Sequence, residues 1–315
     1  MKTERTLPML LVVVAAVAGA PAIALATPQG DAARADIHKT LGFVPGFIKL
    51  VPELALPGAW MDMKGLQLNP ATALPGKVKE LVGLAVSAQI PCEYCIYAHT
   101  EFAKLNGATD AEIGEAVVMG ALTRRWSTVA NGLQIDEAKF RAEIAQVIAN
   151  LKKGAGGAGA PTKPMAVTDG KTALDDAKQA FGVVPEFLRR YPQEGLAGAW
   201  TEMRDVEMNP STAIPGKYKS LIGLAVASQI PCKFCVVADT EFAKLEGASD
   251  RELSEAVAMA GLTRHWSTII NGRQVDKAAF KKDITRLVAA ARKHMAAAQQ
   301  QQSTPPMTAT ATATR

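Results

Sequence analysis

The stretch around which the chain is organised reads Gln89-Ile90-Pro91-Cys92-Glu93-Tyr94-Cys95-Ile96-Tyr97-Ala98-His99. Cys92 and Cys95 are three residues apart, and His99 follows Cys95 by four, so on a helix the three side chains lie on one face. Pro91 suits the first turn of a helix, which places the thiols at or near an N-terminus, where the helix dipole favours a thiolate. His99 is one turn from Cys95 and two from Cys92. We therefore predict that Cys95 is the activated thiol and Cys92 its resolving partner.

The thiol-bearing stretch recurs after 140 residues, and the sequence around it recurs without a gap. Its second copy reads Ala227-Ser228-Gln229-Ile230-Pro231-Cys232-Lys233-Phe234-Cys235. Each period is long enough for a domain with its own core, unlike the short units of a solenoid. The repeat predicts one domain used twice, at residues 27–153 and 166–296.

The N-terminal residues 1–26 have the features of a signal peptide. Lys2 and Arg5 precede an apolar run at residues 10–20, and Ala24-Leu25-Ala26 offers a small-x-small cleavage site. The alternative is an uncleaved anchor, but the run is short for a bilayer span. We expect cleavage after Ala26, a periplasmic or secreted protein, and no stable membrane insertion afterwards.

Two further segments lack the composition of a packed domain. Residues 154–165 are rich in glycine and predict a flexible linker. Residues 297–315, with a glutamine run and alternating Thr-Ala, predict a disordered tail.

Within each copy the apolar pattern predicts an all-α fold. Helical spacing is clearest at residues 76–90, and further helices are expected at 91–105, from the capping sequence at 109–112 to 122, and at 136–151. No segment alternates as a strand would. The 48% hydrophobic and 21% charged residues fit a folded chain, and the net charge of +5 is spread among acids, so no nucleic-acid partner is indicated.

Glu80 stands out in the otherwise apolar helix before the thiols. It lies twelve residues before Cys92 on a segment that can fold back beside the thiol helix. A carboxylate there could orient His99 or relay its proton.

Together, Glu80, Cys92, Cys95 and His99 resemble the redox-active core of the alkylhydroperoxidase D family, within the carboxymuconolactone decarboxylase-like superfamily. The resemblance covers about residues 75–131 and 215–271. It implies an all-helical, commonly oligomeric protein in which Cys95 attacks a peroxide or a partner's disulfide and Cys92 closes the disulfide. His99 would be the base and Glu80 its partner. The implied partners are a peroxide and a thiol electron donor or a disulfide protein, and we expect a homo-oligomer without cofactor or metal.

The chain departs from the family pattern in two places. Tyr94 stands where some members carry a second histidine, so proton transfer here is expected to be slower or differently routed. In the second copy, Ser220 replaces Glu80 and Asp239 replaces His99. A carboxylate one turn from Cys235 should raise the pKa of that thiol, so the second site is expected to be inactive as a peroxidase. Cys232 and Cys235 would then form a structural disulfide or an electron relay.

Other interpretations of the cysteines remain open. In an exported protein both pairs could be structural disulfides of a non-catalytic interaction module, or together they could hold zinc. A disulfide closing so short a loop adds little stability through chain entropy, which favours a redox role for Cys92 and Cys95. A decarboxylase is a further alternative, although that reaction does not require two cysteines.

Overall fold

The computed structural model describes residues 26–156 and 165–303, and within these ranges the chain is all-α. The segment predicted to be a signal peptide lies outside the described residues, except for Ala26. In the described part of the chain, no strand is present.

The helices of the first copy are α1 Pro28–Leu41, α2 Gly46–Lys49, α3 Leu56–Gly65, α4 Gly76–Gln89, α5 Glu93–Leu105, α6 Asp110–Gly132 and α7 Glu137–Gly156. Their ends follow from local sequence. Gly42 ends α1 with a φ of 80°, a left-handed conformation that glycine adopts without strain. Thr109 and Glu112 form a reciprocal capping box that starts α6. Pro45 precedes α2, as expected of a loop-to-helix entry.

The second copy follows the first with the same order of helices. They are α8 Gly170–Phe181, α9 Glu186–Arg189, α10 Gln193–Glu202, α11 Gly216–Gln229, α12 Lys233–Leu245, α13 Asp250–Gly272 and α14 Lys277–Ser303, with a π-helical turn at Met203–Glu207 after α10. The all-helical prediction is confirmed.

Several predicted boundaries differ from those observed. The thiol helix begins at Glu93 and not at Pro91, because Cys92 is its N-cap and has an extended backbone. The third predicted helix continues past residue 122 to Gly132, since Trp126 and Ala130 extend its buried face. Helix α7 continues to Gly156, into the segment predicted to be a linker, whose residues 157–164 lie outside the described part.

The C-terminal tail also begins later than predicted. Helix α14 continues to Ser303, so residues 297–303 are helical and not disordered. Alanine and glutamine are good helix formers, which allows a helix to extend beyond its packed portion. Residues 304–315 lie outside the described residues.

The two copies interlock and share one hydrophobic core, so the expectation of a separate core for each copy is wrong. Helices α4 and α11 pack against each other at the centre, and each also contacts the long helix, α13 or α6, of the other copy. The last helices are exchanged: α7 packs on α12, and α14 packs on α5. The apolar stripe of α7, including Phe140 and Ile144, is thus buried beside Phe234 of the second copy.

Buried lysines fix the two copies together. Lys79 is fully buried, and its Nζ lies 3.4 Å from Oε1 of Glu255 on α13. Lys219 is its counterpart, with Nζ 3.8 Å from Oε1 of Glu115 on α6. Each lysine also donates hydrogen bonds to two backbone carbonyls of the loop before its helix. These contacts anchor the loop of one copy to the long helix of the other.

None of the helices in residues 26–156 and 165–303 combines the length and the apolar character needed to cross a bilayer.

Candidate functional site

The first cysteine pair lies at the N-terminus of α5. Cys92 and Cys95 form a disulfide, with their Cα atoms 5.3 Å apart. The backbone N–H of Cys95 also points at Sγ of Cys92, at 3.3 Å. Both side chains are buried. The pair therefore occupies the helix N-terminus that the sequence predicted, where backbone amides stabilise a thiolate.

His99 and Glu80 meet across the interface of α5 and α4. Nδ1 of His99 lies 2.7 Å from Oε2 of Glu80, and both side chains are buried. Because a carboxylate can only accept, this contact places the proton on Nδ1 and leaves Nε2 free to accept one. Gln67 donates a hydrogen bond from Nε2 to Oε1 of Glu80, at 3.0 Å. The juxtaposition of Glu80 and His99 predicted from sequence is present.

Gly83 allows the imidazole to lie directly against α4. A Cβ at this position would stand 2.3 Å from Cε1 of His99, closer than any side chain could tolerate. Gly223 plays the same part in the second copy, where a Cβ would stand 2.7 Å from Oδ1 of Asp239. The sequence reading did not single out these glycines, although their recurrence 140 residues apart could have indicated a close approach.

A cavity of about 360 Å³ opens beside this cluster. Cys95, His99 and Glu80 all line it, whereas Cys92 does not. The rest of the lining is mostly apolar and includes Phe102. A small molecule entering the cavity would meet Cys95 before it met Cys92.

The second copy completes this first site. Thr263 of α13 lies 3.5 Å from Nε2 of His99, measured from its Oγ1, and Nδ2 of Asn271 donates toward Sγ of Cys92 at 3.5 Å. The hydroxyl of Tyr94 donates to the carbonyl of Val275 at 2.6 Å. The sequence reading missed Thr263 and Asn271. The repetition of their segment was visible, but not that it would lie over the other copy's thiols.

The second cysteine pair occupies the equivalent position on α12 but is not a disulfide. Cys232 and Cys235 are free thiols, so the structural disulfide that was one of two expectations is not formed. Sγ of Cys235 points instead at the carbonyl of Thr123 on α6, at 3.9 Å. The electron-relay role stays a prediction.

The proton distribution in this second pair differs from the one expected of the first. A hydrogen bond from Cys235 lowers the pKa of the Cys232 thiol to about 6. That hydrogen bond, together with burial and the nearby Asp239, raises the pKa of Cys235. The expected effect of Asp239 has the right direction but is not the largest cause. Cys235, which lines a cavity of its own, is thus held as a neutral thiol.

The described residues contain no group of three or more His, Cys, Asp or Glu side chains close enough to hold a metal ion. The four cysteines are therefore not gathered into the zinc site that was one of the alternatives.

Comparison with known protein families identifies the repeat. The model of the carboxymuconolactone decarboxylase family matches residues 55–138 and again residues 194–278, which together make up more than half of the chain. The chain belongs to the carboxymuconolactone decarboxylase family. Its two family segments correspond to the two copies, each from α3 or α10 to the start of the last helix, and each contains one cysteine pair.

Individual relatives of this family member are distant. No curated protein matches the chain with significant similarity. One solved crystal structure that does match is described as a candidate gamma-carboxymuconolactone decarboxylase subunit from Burkholderia xenovorans, at 15% identity and a TM-score of 0.42. The match covers 87% of this chain and 99% of the other. A likeness of this size carries no argument about function.

Proposed function

We propose that this family member is a thiol-dependent peroxidase or disulfide reductase that uses Cys92 and Cys95, with His99 and Glu80 as the proton relay. The observation that supports this most is the shared cavity, because the thiol, the imidazole and its carboxylate partner all face one space. The dithiol at a helix N-terminus supplies the electrons. An exported protein of this kind would serve antioxidant defence outside the cytoplasm.

In the proposed peroxidase reaction the reduced Cys95 attacks the terminal oxygen of a hydroperoxide. His99 accepts the thiol proton at Nε2 and returns it to the departing alkoxide as the O–O bond breaks, which leaves an alcohol and a sulfenic acid on Cys95. Cys92 then attacks the sulfenic sulfur, and water leaves as the disulfide forms. An external dithiol or a partner disulfide protein reduces the pair again by thiol–disulfide exchange.

Thr263 and Asn271 have defined positions in this scheme. The Thr263 hydroxyl faces the nitrogen that carries the proton, and Asn271 can donate to the sulfur of Cys92. A donor at that sulfur stabilises it as a thiolate when the disulfide is reduced. In this proposal the second copy supports the chemistry of the first without turning over itself.

Single-turnover oxidation tests the proposal. The mature protein is reduced with dithiothreitol, desalted and mixed with tert-butyl hydroperoxide, after which disulfides are mapped by mass spectrometry. We expect hydroperoxide consumption together with a new bond between Cys92 and Cys95. If the hydroperoxide survives but an added disulfide substrate is reduced, the reductase branch is correct. A Cys92–Cys95 bond that dithiothreitol fails to reduce would instead assign the structural alternative.

The proton relay predicts a loss of rate in the Glu80→Gln variant. Glutamine keeps the shape of the side chain but removes the charge that orients His99 and stabilises its imidazolium. We expect the second-order rate with hydroperoxide to fall by about a hundredfold, the lower part of the range for general acid–base catalysis. The rate is measured by stopped flow with the reduced protein.

The matched control is Glu101→Gln, because Glu101 is a half-buried carboxylate on the thiol helix that lies outside the cavity lining. An equal loss of rate in both variants would contradict a specific relay through Glu80.

A further inference from the structure

The second copy has a cavity of its own, of about 430 Å³, beside Cys235 and Asp239. Its walls are aromatic and come from both copies, with Phe140 and Trp126 from the first and Phe181, Phe234 and Phe242 from the second. The volume is in the range of small-molecule sites. The polar groups at its other side differ in character from those of the first cavity.

Three positions that are neutral or basic in the first cavity are acidic in the second. Gln67 corresponds to Glu207, His99 to Asp239 and Asn106 to Glu246, each 140 residues later, and all six side chains line their respective cavities. Ser220, at the position of Glu80, is the only loss of a carboxylate in this comparison of four positions. The second cavity has therefore changed from a histidine–glutamate pair to an acidic site.

Asp239 has no partner for its outer oxygen. The side chain is only 7% exposed, and Oδ2 makes no hydrogen bond to any described residue. A buried carboxylate oxygen without a donor is unfavourable, and most such atoms in folded proteins have one. His99 at the same position in the first copy does have a partner, Glu80.

The nearest cation does not neutralise these carboxyls. Lys219 lines the cavity, but its Nζ donates to the carbonyls of Val206 and Asn209 and to the hydroxyl of Thr212. It also lies 3.8 Å from Glu115 on α6. Its hydrogen-bonding capacity as an ammonium, three donors, is thus used.

We infer that the second cavity binds an organic cation, with its ammonium group between Asp239 and Glu207 and an aromatic or alkyl body against the phenylalanine walls. Both parts of the cavity select this class. A neutral apolar molecule would leave Oδ2 of Asp239 without a donor, and an anion would be repelled by the carboxyls. An ammonium supplies donors and charge together, and aromatic faces attract cations. The inference concerns the second copy and does not depend on peroxidase activity in the first.

The ionisation of the acidic groups adds a second signature. Burial raises the pKa of Glu207 to about 7, although Lys219 opposes this, and burial with the neighbouring Glu207 raises the pKa of Asp239. The other titratable groups on the packed elements are Cys235 and Glu246 on α12 and Glu115 on α6. A bound cation favours the ionised carboxyls, so binding releases protons and strengthens as the pH rises through about 7.

Calorimetric titration of the full mature chain with 2-phenylethylamine tests the inference. We expect one site per chain at pH 8, at least about tenfold weaker binding at pH 6, and at least about tenfold weaker binding of 2-phenylethanol, which has the same body without the charge. Equal binding of amine and alcohol, or no heat from the amine at millimolar concentration, would overturn it.

Isosteric variants place the ligand. Asp239→Asn keeps the side-chain shape and should weaken binding of the amine at pH 8 by at least about tenfold, whereas Glu194→Gln, which removes an exposed carboxylate on α10, should leave it unchanged. Glu207→Gln is the second variant, used if Asp239→Asn fails to give the wild-type circular dichroism spectrum. It should weaken binding and also flatten the pH dependence between 6 and 8. Unchanged affinity in a folded cavity variant would show that the amine binds elsewhere.

Discussion

The Cys95→Ser variant is expected to lose hydroperoxide turnover almost completely. Serine at this position has the shape of the thiol but neither a thiolate nor an oxidisable sulfur, and Cys92 does not line the cavity from which the substrate would approach. Loss of a covalent nucleophile typically reduces turnover by several orders of magnitude, so we expect at least about a thousandfold reduction. The measurement is steady-state consumption of tert-butyl hydroperoxide with dithiothreitol as donor.

Cys235→Ser is the matched control for that variant. Cys235 occupies the same position on α12, is buried to a similar extent and lines the equivalent cavity. The neighbouring Asp239 cannot act as the base that His99 provides, so turnover should persist when Cys235 is replaced. Retention in Cys95→Ser with loss in Cys235→Ser would transfer the proposed activity to the second copy. Loss in both would make the two pairs parts of one electron path.

The Glu255→Ala variant is expected to be strongly destabilised. Glu255 on α13 is buried and accepts hydrogen bonds from the Thr72 hydroxyl at 2.5 Å and from the Ala73 N–H at 2.6 Å. Its carboxylate is also the buried ion-pair partner of Lys79, at 3.4 Å. Truncation leaves an uncompensated buried ammonium, and we expect the free energy of unfolding to fall by about 3–5 kcal/mol.

Urea denaturation followed by circular dichroism measures this loss. Glu115→Ala, which removes the equivalent carboxylate beside Lys219, should cost a comparable amount because the contacts are repeated. An exposed control, Glu194→Ala, should change stability by less than about 0.5 kcal/mol. A loss below about 1 kcal/mol for Glu255→Ala would mean that Lys79 finds water or another partner, and that the cross-copy ion pair contributes little.

Much of the first site could be predicted because its geometry is local. Three residues on one helix have fixed relative positions, so the spacing of Cys92, Cys95 and His99 is enough to place them together. Glu80 required one further step, the packing of consecutive helices joined by a short turn. That step is common enough to predict, and the contact of Glu80 with His99 agrees with it.

The partners from the second copy could not be predicted in this way. Thr263 and Asn271 lie more than 160 residues from the thiol helix, and Thr123 and Asn131 stand in equivalent places. Because both copies present similar faces, the apolar pattern of α13 fits either α4 or α11. A sequence pattern states that a face is buried, but not against which of two similar surfaces.

The same ambiguity applies to the last helix of each copy. The stripe on α7 predicted a buried face correctly, and Phe140 and Ile144 are buried. That this face packs on α12, with α14 packing on α5, is a consequence of how the whole chain closes. The exchange gives each cavity walls from both copies, which is why the acidic character of the second cavity became apparent only when Glu207 and Asp239 were seen to line the same space.

The sequence by itself determined the helical class, the internal repeat, the thiol–imidazole spacing and the loss of Glu80 and His99 equivalents in the second copy. These are properties of local periodicity and of residue identity, which helix geometry converts directly into position. Only the tertiary structure decided that the copies share one core, that each thiol site is completed by the other copy, and that Asp239 has an unpartnered oxygen. Those features depend on long-range packing, in which two nearly equivalent arrangements differ by the sum of many small contacts that no single segment contains.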